Sequence, residues 1–106
     1  MTIDHIGIWV DDIESMRRFY TTYFNSVSSE IYVNPSKNYT SYFLSFGENN
    51  TRIELMHRPD IKDSSSPRHF TKGIAHLAIS VGDKQAVNEL TKRLQAENYV
   101  IRSEPR

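Results

Sequence analysis

The stretch Gly73-Ile74-Ala75-His76-Leu77-Ala78-Ile79-Ser80-Val81 decides the fold, because the chain opens on the same pattern in Ile3-Asp4-His5-Ile6-Gly7-Ile8-Trp9-Val10. Sliding one over the other by 71 positions sets His5 on His76, Ile6 on Leu77, Gly7 on Ala78, Ile8 on Ile79, Val10 on Val81 and Asp12 on Asp83. The match continues beyond the stretch: Val87, Leu90 and Leu94 stand at the offset positions of Met16, Phe19 and Tyr23. An internal repeat outranks local propensity, since missing it mis-assigns the whole fold. The spacing predicts a short buried strand followed by a helix, made twice.

A chain of 106 residues fits one domain and buries a core without staples. Acidic and basic residues balance at 13 each, so no sequence-wide field points to nucleic acid or an anionic membrane. No run approaches the ~18 apolar residues of a spanning helix. Met1 leads directly into the first strand, without the apolar core of a signal peptide. There is no cysteine, hence no disulfide and no thiolate chemistry. A cytoplasmic protein, with no nucleic-acid or membrane partner, is the expectation.

Residues 3–10 alternate with period two, which predicts a strand. Ile3, His5, Gly7 and Trp9 share one face; Asp4, Ile6, Ile8 and Val10 share the other. Asp11 or Asp12 then caps a helix whose apolar face is Ile13, Met16, Phe19, Tyr20, Tyr23 and Phe24, with Asn25 as a left-handed stop. Glu30 to Val33 reads as a short strand and Asn34 to Asn38 as a loop. Tyr39 to Phe46 and Thr51 to His57 read as a hairpin, turned at Gly47-Glu48-Asn49-Asn50. Residues 1–58 are thus a first strand–helix–three-strand module. Residues 59–72, with Pro59 and Ser64-Ser65-Ser66-Pro67, are a linker within one domain. Residues 73–106 begin a second module: strand, a helix capped by Asp83, then a strand opening at Tyr99-Val100-Ile101. The second module is incomplete, and the natural polypeptide is expected to continue by about 20 residues, since a sheet lacking three strands leaves unpaired edges.

Glu54 stands mid-strand among apolar neighbours. Glutamate is depleted in strands, and an unpaired buried carboxylate is costly. A neighbouring Arg or an exposed sheet face would account for it; so would a metal ion. Like modules related by a pseudo-twofold axis would set His5 opposite His76, with Glu54 alongside. Two imidazoles and a carboxylate suit a divalent transition metal, leaving positions open for a substrate oxygen. The alternation places Trp9, Phe43, Arg52 and Met56, with Ser80 from the second strand, on the faces that would line a substrate site. Arg52 shares a face with Glu54, where it would bind a substrate anion or pair with a carboxylate.

Asp4-His5-Ile6-Gly7-Ile8-Trp9-Val10-Asp11-Asp12, the Arg18-Phe19-Tyr20 helix, Arg52-Ile53-Glu54-Leu55 and residues 73–81 together resemble the vicinal oxygen chelate superfamily. That group includes glyoxalase I, methylmalonyl-CoA epimerase, extradiol dioxygenases, fosfomycin-modifying enzymes and bleomycin-resistance proteins. The resemblance implies an α+β fold in which two βαβββ modules form a curved mixed sheet around a central metal cleft, commonly completed in a homodimer. Glyoxalase-like and epimerase-like members take a His, a Glu or Gln, a His and a Glu as ligands in chain order. His5, Glu54 and His76 match the first three; the counterpart of Glu54 would fall near position ~125. The implied activity is that of a metal-dependent lyase or isomerase using Zn, Ni, Co, Fe or Mn, with Glu54 moving a proton next to a carbonyl of a small substrate. In glyoxalase I an Arg four residues after the first His contacts glutathione; here that position is Trp9. The alternative function on the same fold is a non-enzymatic protein that sequesters a small molecule.

Overall fold

The computed structural model describes residues 1–48 and 51–105, which fall into two compact units, Met1–Ser65 and Ser66–Arg106. In the first, the order is β1 (Ile6–Trp9), α1 (Ile13–Tyr23), β2 (Val27–Ser28), β3 (Tyr32–Asn34), β4 (Tyr39–Phe46) and β5 (Thr51–His57). The sheet runs β1-β5-β4-β2, and β3 also pairs with β4. β1 lies parallel to β5, and the other pairs are antiparallel. Parallel neighbours need a long crossover, and α1 begins the one that joins β1 to β5. Asn49 and Asn50, expected in the hairpin turn, lie outside the described residues.

Period-two alternation gives this sheet two unlike faces. On one, Leu44 and Leu55 are 0% exposed and Ile53 3%, with Ile8, Val10, Ile13, Met16, Tyr20 and Phe46 packed against them. Helix α1 covers this face. Fully burying each leucine stabilises the fold by about 1.5–3 kcal/mol. Asp12 caps the helix by accepting from Ser15 N–H at 3.0 Å, and it also accepts from the Ser15 hydroxyl at 2.9 Å. Asn25, at φ 53°, ends the helix as expected of a left-handed stop.

The second strand of the module is split rather than continuous. Between β2 and β3, Ser29 N–H donates to Phe43 C=O at 2.8 Å, and Phe43 N–H returns to Ser29 Oγ at 2.9 Å. A hydroxyl thus replaces a carbonyl in the ladder. Val27 and Ser28 therefore pair before the stretch expected at 30–33.

The second unit has a 3₁₀ turn at Arg68–Phe70 and one helix, α2 (Lys84–Ala96). Asp83 caps it, accepting from Ala86 N–H at 2.9 Å. The expected buried strand at 73–81 is corrected here: these residues carry no ladder among the described residues, and most are exposed. The same holds for the strand expected to open at Tyr99. Strand propensity without a partner to accept its hydrogen bonds leaves the backbone solvated. No helix among the described residues is long and apolar enough to cross a membrane.

Candidate functional site

The face of the sheet away from α1 is built from a different set of side chains. The register aligns Trp9 with Met56 and Ser41, Gly7 with Glu54 and Phe43, and Arg52 with Ser45. Side chains on paired residues share a face, so Trp9, Phe43, Arg52, Glu54 and Met56 gather on this one, and His5, just ahead of the ladder, joins them through its contacts with Glu54 and Phe43. Gly7 leaves room for Met56: a Cβ there would come within 2.6 Å of Met56 Sδ and make that side chain shift.

Glu54 is 16% exposed and makes no ion pair with a Lys or Arg among the described residues, Arg52 pairing with Asp4 instead. Its Oε2 accepts from the Tyr39 hydroxyl at 2.7 Å, and its Oε1 lies 3.5 Å from His5 Nε2. Burial, and then the carboxylate of Glu54, push the Tyr39 hydroxyl upward in pKa, which keeps it a donor. His5 Nδ1 lies 2.7 Å from Asp4 Oδ2, an oxygen that Arg52 Nη2 also reaches. The hydrogen bond from His5, then that from Arg52, hold Asp4 below the usual carboxylate range. An ionised carboxylate only accepts, so Nδ1 of His5 carries the proton. That leaves Nε2 facing Glu54 Oε1 with its lone pair free to meet a cation or a donor.

His5 Nε2 and Glu54 Oε1 have the chemistry and spacing of two ligands of one ion. Ligands about 2.1 Å from a tetrahedral ion stand ~3.4 Å apart, close to the observed separation. Imidazole and carboxylate are both normal ligands for such ions, and each is oriented here by an outer hydrogen bond. Among the described residues there is no group of three or more His, Asp or Glu side chains that could hold a metal. His76 and Ser80 belong to the second unit, both exposed.

Two residues of this cluster were not expected at the site. Tyr39 shares the period-two face of Phe43, and the small Ser41 between them leaves its ring room to lean toward Glu54. Asp4 is a correction: alternation placed it on the aliphatic face, but the ladder begins only at Ile6. Ahead of the ladder, residue 4 is free of the alternation and turns to His5.

Residues 4–106 match the Glyoxalase/Bleomycin resistance protein/Dioxygenase superfamily, and the chain belongs to it. No curated protein matches it significantly. Among solved structures, glyoxalase I of Leishmania major is 24% identical with TM-score 0.80, covering 100% of this chain and 73% of its own. The fosfomycin resistance protein FosX of Listeria monocytogenes is 20% identical with TM-score 0.72, covering 97% and 74%. Methylmalonyl-CoA epimerase of Mycobacterium tuberculosis is 23% identical with TM-score 0.48, covering 54% of this chain and 38% of its own. The first two likenesses establish the fold: α+β, with a mixed sheet of five strands and two helices.

Proposed function

We propose that this protein is a divalent-metal-dependent lyase or isomerase of the glyoxalase type, acting on a small carbonyl substrate in the cytoplasm as a homodimer. The observation that carries this reading is the His5–Glu54 pair, 3.5 Å apart on the sheet face that α1 leaves open. In this reading residues 1–58 are one βαβββ module, 59–72 the linker, and 73–106 part of a second. The ligands in this reading are His5, Glu54 and His76, for a Zn, Ni, Co, Fe or Mn ion. A metal held by these residues would supply Lewis acidity to a carbonyl oxygen.

The rest of the chemistry falls to side chains. Glu54 takes the proton from the carbon next to the carbonyl and returns it to the neighbouring position. The Tyr39 hydroxyl orients that carboxylate. Trp9, Phe43, Met56 and Ser80 line the substrate site, and Arg52 meets an anionic group on the substrate.

Metal analysis after dialysis tests this, paired with turnover of methylglyoxal–thiol adducts and epimerisable CoA esters. The wild type is expected to retain metal, and His76→Ala to lose it. Unchanged metal content in His76→Ala removes that residue from the site. A metal-free, inactive wild type overturns the reading in favour of a binding protein. One observation favours that second function: Trp9, Tyr39 and Tyr32 stack edge to face at 6.1 and 6.0 Å, a surface that would hold a planar molecule without reacting with it.

A further inference from the structure

We propose that Asp4 is the positioning residue of this site, selecting the nitrogen that His5 presents to Glu54. The inference rests on the metal reading only where it concerns affinity; the choice of tautomer is independent of it.

Four observations carry it. His5 Nδ1 and Arg52 Nη2 converge on one oxygen, Oδ2 of Asp4, so the carboxylate is held by two donors although its side chain is 70% exposed. The Arg52 guanidinium lies over the Phe43 ring, 4.7 Å from its centroid. Phe43 in turn meets the His5 ring edge to face at 5.0 Å. Arg52, Asp4, His5 and Phe43 therefore form a closed ring of contacts that fixes the imidazole plane. With Nδ1–H committed to Asp4, only Nε2 remains to face Glu54. An outer carboxylate on a ligating histidine sets its tautomer and raises its basicity.

The repeat supplies a natural contrast. The position equivalent to Asp4 is Ala75, so His76 has no carboxylate immediately before it. The two histidines that the repeat equates are not equivalent ligands: His5 is preset and His76 is not.

The test uses the whole chain with Asp4→Ala and Asp4→Asn. Asp4 lies outside the ladder, and Asn keeps an acceptor oxygen, so circular dichroism should show both variants folded. Nitrogen-15 NMR of metal-free protein, at a pH where imidazole is neutral, reads the His5 tautomer. The wild type and Asp4→Asn should carry the proton on Nδ1, and Asp4→Ala should move it toward Nε2. Zn²⁺ titration against a competing chelator then reads affinity, expected to fall roughly 10–100-fold in Asp4→Ala and less in Asp4→Asn. An Asp4→Ala variant with the wild-type tautomer, or with wild-type Zn²⁺ affinity, overturns the inference. A wild type that binds no Zn²⁺ but shows the Asp4-dependent tautomer upholds the positioning role and defeats the metal reading instead.

Discussion

Residues 6–9 and 77–80 are the same strand by sequence and different objects in the fold. The first copy, β1, is hydrogen-bonded along Ile53 to Met56 and sends Ile8 into the core. The second has no ladder among the described residues, and its Leu77 is 40% exposed. The helices that follow do not differ in this way, since each is capped by an aspartate at the equivalent position. A helix closes its hydrogen bonds within itself, whereas a strand is a property of two segments. Repetition of sequence therefore carries over a helix, but it carries over a strand only with its neighbour.

Truncating one leucine from each unit presses this comparison hardest. Leu55→Ala should cost about 2–5 kcal/mol, because its side chain is fully buried beneath α1. Leu77→Ala should stay within about 0.5 kcal/mol, as expected of an exposed site. Denaturant unfolding followed by far-UV circular dichroism reads both units, and the fluorescence of Trp9, the only tryptophan, reads the first. A Leu77→Ala loss as large as that of Leu55 would mean that residues 73–81 are packed in solution, and the contrast between the copies would disappear.

What could be read from the sequence follows the same division. β4, β5 and α1 were legible because alternation or helical spacing coincided with capping and turn residues. The split at Ser29 was not, since it depends on a side-chain oxygen substituting for a backbone carbonyl. Glu54 stood out as a carboxylate out of place, and His5 gained weight from its repeat. Asp4 was hidden because period-two reasoning applies only where a ladder imposes it. Tyr39 was hidden because reaching Glu54 needs the ring to lean along the strand over Ser41, which spacing does not encode.

The caps test where the copies should agree. Asp83→Ala is expected to cost about 1 kcal/mol by freeing the Ala86 N–H. Asp12→Ala should cost more, because Ser15 donates both its N–H and its hydroxyl to that carboxylate. Thermal melts followed by circular dichroism compare them. Equal losses would mean that the second Ser15 bond adds nothing.

The smallest effect lies in how each helix is tied down. In the first unit Glu14 accepts from the Tyr42 hydroxyl and, at 3.3 Å, from Arg17, linking α1 to β4. At the equivalent position Gln85 donates to Glu89 of its own helix at 2.9 Å. The Tyr42 bond, then that from Arg17, lower the pKa of Glu14, while the same Glu14 bond and then burial raise that of Tyr42. A lowered carboxylate contributes stability above its unfolded value, roughly 4.3, and loses it as pH falls through the folded value. A raised tyrosine contributes below its unfolded value, about 10, and loses it as pH rises through the folded one. One hydrogen bond thus weakens at both extremes. Tyr42→Phe should flatten both limbs of the stability–pH profile, and Gln85→Ala, which removes no ionisable group, should leave its shape unchanged. If Tyr42→Phe instead retained the wild-type limbs, the helix would be held to the sheet by apolar packing without help from this bond.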